Sequence, residues 1–239
     1  METKAVITKR QVWRGISLVI SLLAGAYLIY RLVTYKDYGA LEMAFRTASV
    51  RQYLFFVAAV LLVPIQLSIE TYKWQAMMRG LTELSFIAAW RQVMSGLLAA
   101  FITPYRLGEY PARLAEAGLT QEVDWHNWRE WLRDWRKWGS VVLLTVLRYF
   151  VWGVQLWAVL GFCGIMLEPM EALSAIATYY FCVTVFPSVP MVEVATKGGW
   201  ALLIFHPYST DTAQIVLAVT IIWMINTILP LLFAYIKKK

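Results

Sequence analysis

Charge is what this chain has least of. Only 15% of its 239 residues are Asp, Glu, Lys or Arg, while 60% are apolar. A soluble domain covers its surface with about 25% charged residues, so this scarcity excludes a water-soluble globule. Most of the surface is expected to face lipid, in keeping with a mean hydropathy of +0.57. Cysteine is nearly absent as well. Cys163 and Cys182 both lie in apolar runs without CxxC spacing, which argues against a disulfide-built ectodomain. The two histidines, His126 and His206, have no partner at metal-ligand spacing. No nucleophile elbow, zinc helix, P-loop or dinucleotide turn is found. No metal and no cofactor are therefore expected.

Aromatic residues are plentiful: 12 Trp and 13 Tyr suit belts at two membrane–water interfaces. The net charge of +7 comes from basic residues that flank apolar runs, Lys4, Lys9, Arg10 and Arg14 at one end and Lys237, Lys238 and Lys239 at the other. That placement follows the positive-inside rule and not the clustered patch of a nucleic-acid binder, so no nucleic-acid partner is expected.

Crossing the hydrocarbon takes about 20 apolar residues. Four segments qualify as full spans: 13–35, 52–72 with Pro64 and Glu70, 139–166 with Arg148 and Gln155, and 212–236 with Asn226 and Pro230. The first run lacks a small-residue cleavage site and is read as a mature helix. Two further stretches are interrupted. Residues 84–103 run into Thr103-Pro104-Tyr105-Arg106-Leu107-Gly108-Glu109, and 171–186 run into Pro187-Ser188-Val189-Pro190; the prolines end each helix. With both termini in the cytoplasm, segments 84–118 and 171–206 must each enter and leave on one side. The expected fold is an all-α integral membrane domain over residues 1–239. It has four full spans and two opposed re-entrant hairpins, in halves of about 13–118 and 139–236, an inverted-repeat plan found in transporters. Between the halves, 121–138 carries Trp125, Trp128, Trp131, Trp135 and Trp138 on one helical face and Arg129, Arg133, Arg136 and Lys137 on the other. Such a helix is expected to lie in the headgroup plane.

Polar residues inside this apolar frame mark the candidate site, because charges at membrane depth are costly and pair or face a polar path. Arg106 and Glu109 are three apart, and Arg113 is four beyond Glu109, so one carboxylate can serve both guanidiniums. The arrangement reads either as a structural ion pair or as a phosphate-binding arginine steadied by a carboxylate; the planar guanidinium fork matches phosphate. Glu193 and Lys197, at i, i+4 and where a half-helix begins, read either as a structural pair or as part of an anion site. Glu70 and Lys73 read as a pair at the inner end of the second span. Arg148 and Gln155 share a helix face, and Asn226 is expected to hydrogen-bond between helices.

At these residues the chain resembles a known family, the flippase-like transmembrane domain of lysylphosphatidylglycerol synthases in the form common in Bacteroidota. The resemblance rests on Glu70-x-x-Lys73-Trp74, on Ser95-Gly96 leading into Phe101-Ile102-Thr103-Pro104-x-Arg106-x-Gly108-Glu109-x-x-x-Arg113, and on Leu147-Arg148-Tyr149 with Gln155. Pro187 with Glu193-x-x-x-Lys197-Gly198, and Trp223-x-x-Asn226 with Pro230, add to it. It covers about residues 60–235. The family's second motif usually ends in Arg where Lys197 stands here, and its members have about two more spans where 121–138 lies. The family's soluble aminoacyl-transfer domain is absent from this sequence, so lysyl-lipid synthesis is not expected.

The resemblance implies a lipid flippase or lipid-handling protein of the bacterial cytoplasmic membrane. Arg106, Glu109, Arg113, Glu193 and Lys197 would meet an anionic lipid headgroup, with Glu70, Lys73, Arg148, Gln155 and Asn226 in support. The other readings are a non-transporting accessory subunit of a larger membrane complex and, last, a membrane transferase acting on a lipid-linked sugar.

Overall fold

A computed structural model describes residues 46, 48–103, 106–118, 133–186 and 193–236. The expected first span at 13–35, the Trp-rich stretch up to 132 and the Pro187–Pro190 break lie outside the described residues. Among the described residues all regular structure is helical, in seven helices: α1 Val50–Met78, α2 Phe86–Ile102, α3 Glu109–Glu116, α4 Trp135–Phe162, α5 Pro169–Val185, α6 Glu193–Phe205 and α7 Thr212–Ile236. Three of them are long and apolar enough to cross a membrane, over Val50–Met78, Trp138–Phe162 and Thr212–Pro230.

Local chemistry sets the ends. Ser49 and Gln52 form a capping box at the start of α1, satisfying two backbone donors that the first turn cannot. Pro169 opens α5, where its missing N–H costs nothing. α4 stops at Phe162, earlier than the expected 166, because Gly164 takes a left-handed φ of 85° and Ile165 N–H reaches back to Leu160 O at 2.9 Å. This is a Schellman-type closure. At its other end α4 begins at Trp135, so residues 135–138 extend the long helix. Gly139 alone does not interrupt it, since one glycine costs a helix only about 1 kcal/mol.

α1 and α4 form the most extensive helix pair, and α7 packs on both. α2 lies against α1 and α7, and α6 against α7. Two helical hairpins complete the bundle, α2 with α3 and α5 with α6. The shared core includes Val63 and Leu67 from α1, Val93 from α2, Leu156 and Leu160 from α4, Leu202 and Phe205 from α6, and Ile215 and Val219 from α7. Val142, Leu143, Val146 and Phe150 of α4 point outward, as a lipid-facing helix requires.

Candidate functional site

The break after α2 is built by its own sequence. Thr103 precedes Pro104 and is forced out of the helical region, to φ −96° and ψ 139°. Its hydroxyl donates to Ala99 O at 2.7 Å and accepts from Gly108 N–H at 2.9 Å, clipping the two ends of the break together. A Cβ at Gly108 would lie 2.8 Å from Thr103 Cγ2, so the clip admits only glycine there. Between them Arg106 is held at φ 57°, a left-handed conformation that costs a non-glycine residue roughly 1–2 kcal/mol. Strain of this kind collects at functional positions.

From this turn a chain of ion pairs runs into the bundle. Arg106 Nε donates to Glu109 Oε2 at 3.0 Å. The other oxygen of Glu109 accepts from Arg113 Nη2, which also donates to Glu70 Oε1 at 2.9 Å. Glu70 takes Lys73 at 2.6 Å and Arg148 Nη1 through its second oxygen. Arg113 is only 1% exposed, with its guanidinium over the rings of Trp74 and Tyr110. Glu70 is buried too. The expected Glu70–Lys73 pair is present, as one part of a larger set. α1 continues two turns past Glu70 to Met78, and the carboxylate becomes the hub of three cations.

A cavity of about 160 Å³ opens beside this network, and the sequence-derived residues divide around it. Arg106, Arg148, Glu193, Lys197 and Asn226 line it. Glu70, Glu109 and Gln155 stand behind as their partners, with Lys73 and Arg113 off the wall. Glu193 and Lys197 pair at 2.6 Å, and Trp223 Nε1 donates to Glu193 at 3.4 Å. Asn226 joins the three long helices: it accepts from Gln66 at 3.4 Å and donates to Gln155 at 3.2 Å, which in turn donates to Ala59 O at 2.9 Å. The expected interhelical bond is present.

Gln66, Trp152 and Tyr180 also line the cavity and were missed by sequence reasoning; Trp223, named only within a motif, lines it too. A spacing signal existed for two of them. Gln66 lies four before Glu70 and Trp152 four after Arg148, so each shares its charged neighbour's helix face. Asn226→Ala is expected to lower stability by about 1–2 kcal/mol, more than the ~0.6 average for a hydrogen bond between membrane helices, because two glutamine amides lose a partner. Denaturant unfolding of the purified protein in mixed micelles measures it; an unchanged midpoint would remove the network from the stability account.

Fold and site together define a helical membrane protein with an internal ion-pair network beside a polar cavity. Compared with protein-family models, curated proteins and solved structures, the chain gave no match.

Proposed function

We propose that this chain is a lipid-handling protein, and most simply a lipid flippase, whose cavity accepts the anionic headgroup of a membrane lipid. One observation carries the reading: the charged motifs of the two interrupted segments, Arg106 on one and Glu193–Lys197 on the other, line the same cavity. Arg106 is 54% exposed at its side chain and holds Glu109 through Nε alone, which leaves the rest of its fork for a phosphate. Lys197 adds a point charge to the lining.

In this reading the protein has four full spans and two re-entrant hairpins, α2–α3 and α5–α6, that enter from opposite faces of the bacterial cytoplasmic membrane, with both termini cytoplasmic. Helix lengths support it. At 1.5 Å per residue, α2 and α5 reach about 25 Å and α6 about 20 Å, short of the roughly 30 Å hydrocarbon, whereas α1 exceeds it. The left-handed turn at Arg106, a residue that lines the cavity, then stands where membrane depth tolerates irregular backbone. The likeness of the Arg106-Glu109-Arg113 segment to the flippase-like family points the same way.

Arg106→Ala in proteoliposomes is expected to reduce translocation of a headgroup-labelled anionic lipid to the rate of protein-free vesicles. Arg106→Gly makes the result interpretable, because glycine relieves the left-handed strain and should fold at least as well. Translocation undiminished in both variants would overturn the assignment and favour an accessory role.

A further inference from the structure

We infer that the cavity and an apolar groove beside it form one site for a single anionic amphiphile, whose phosphate is held by Arg148 with Arg106 and whose acyl chain lies between α4 and α5. This rests on the lipid-handling reading above and adds which residue grips and where the chain goes.

The first observation is a charge imbalance. In the linked network Lys73, Arg106, Arg113 and Arg148 are matched by two carboxylates, Glu70 and Glu109, leaving two positive charges over. The Glu193–Lys197 pair across the cavity is neutral. Unbalanced charge is costly where it is shielded from water, as at Arg148, and a singly charged phosphodiester in the cavity halves the imbalance.

The second concerns which cation can reach that anion. Arg148 lines the cavity, is 15% exposed at its side chain and stands 4.4 Å over the Trp152 ring. It gives Nη1 to Glu70, while its buried Nε has no protein partner. Arg113 also has an unpartnered Nε, but that nitrogen is packed over Gly96, where even a Cβ would come within 2.7 Å. Arg113 is thus a positioning residue, and Arg148 is the second arm of the grip.

The third is the groove. It measures about 600 Å³, within the roughly 300–1,000 Å³ of small-molecule sites, and its wall is almost wholly apolar, with Phe150, Gly153, Trp157, Leu173 and Phe181 among its residues. Tyr180 and Thr184 line both the groove and the cavity. Tyr180 stacks on Trp152 at 6.1 Å and donates to its carbonyl at 3.1 Å, forming the partition between them. A cationic pocket that opens past one tyrosine onto an apolar trough matches a lipid in both parts of its chemistry; a free anion uses only the first.

The test is equilibrium binding to the purified full chain in detergent, with two probes: inorganic phosphate and dioctanoyl-phosphatidylglycerol. Arg148→Gln should weaken the lipid roughly 10- to 100-fold, the worth of a hydrogen bond to a charged group. Arg148→Lys keeps a charge for Glu70 and should fold like the parent, yet lose most of that affinity with the fork. Gly153→Leu, whose Cβ meets only Ile176 at 3.7 Å, fills the trough and should weaken the lipid while leaving phosphate binding unchanged. Lipid affinity untouched by Arg148→Lys, or by Gly153→Leu, would overturn the proposal; the second result would leave a free-phosphate site. A photo-crosslinker at Phe150 that captured a protein in place of a photoactivatable lipid would overturn it as well. Because these arms read binding, they can succeed where translocation fails.

Discussion

Glu70→Gln is expected to be the most damaging single substitution in the chain. The carboxylate holds Lys73, Arg113 and Arg148 at once, and the amide keeps its shape but not its charge. Breaking one buried ion pair typically costs about 3–5 kcal/mol, because the abandoned partner stays buried and charged. Here the imbalance rises from two charges to three. A change of that size is comparable to the whole stability of many domains, so little folded protein should be recovered from membranes. Glu109→Gln makes the informative comparison. Arg113 would still have Glu70, and Arg106, which faces the cavity, would lose only an exposed contact, so the loss should be clearly smaller. Pairing Glu70→Gln with Arg113→Met should recover part of the stability, since one buried charge goes with its partner. Detergent-solubilised yield and denaturant unfolding read all three. Equal stability of Glu70→Gln and the parent would mean that the carboxylate does not organise the network.

Gly96→Leu is expected to come second, through packing alone. A Cβ at residue 96 would meet Arg113 Cγ at 2.6 Å, Arg113 Nε at 2.7 Å and the backbone oxygen of Glu109 at 2.9 Å. α3 rests directly on this glycine, so the leucine must drive the helix off α2 and carry Arg113 away from Glu70. Overpacking alone costs about 1–3 kcal/mol, and the broken buried pair adds to it. Gly139→Leu supplies the control. That position is exposed on α4, and a Cβ there meets nothing within 4 Å; exchanging a helical glycine for leucine should even stabilise slightly. If the two substitutions moved the unfolding midpoint alike, close approach of α3 to α2 would not matter to the fold.

Much of this could be seen in the sequence, and what could be seen was local. Arg106, Glu109 and Arg113 pair as their spacing of three and four suggests, as do Glu193 with Lys197 and Glu70 with Lys73. Helix periodicity alone carries that information. Arg148 and Gln155 also face α1 together, as their spacing of seven requires. What the sequence could not carry was the meeting of Glu70 with arginines 43 and 78 residues away, because no local pattern encodes which faces of separate helices touch. For the same reason the choice at the Arg-Glu-Arg segment between a structural pair and a working arginine stayed open. The structure adds a difference in burial, with Arg113 enclosed and Arg106 at the cavity. Helix ends were legible where proline writes them, whereas the capping box that starts α1 was not read from the sequence. The end of α4 was less legible, since it depends on one glycine taking a left-handed turn.

The hub at Glu70 also bears on how the protein is made. Its carboxylate belongs to the first of the three described helices long enough to cross a membrane, whereas Arg113 and Arg148 are synthesised later, the last of them 78 residues on. A nascent chain that has inserted α1 but not yet α4 holds a carboxylate with only part of its neutralising set. Until α4 arrives, Lys73 is the partner that α1 itself supplies. The contact that steadies the finished bundle therefore cannot form until the chain has been made as far as residue 148.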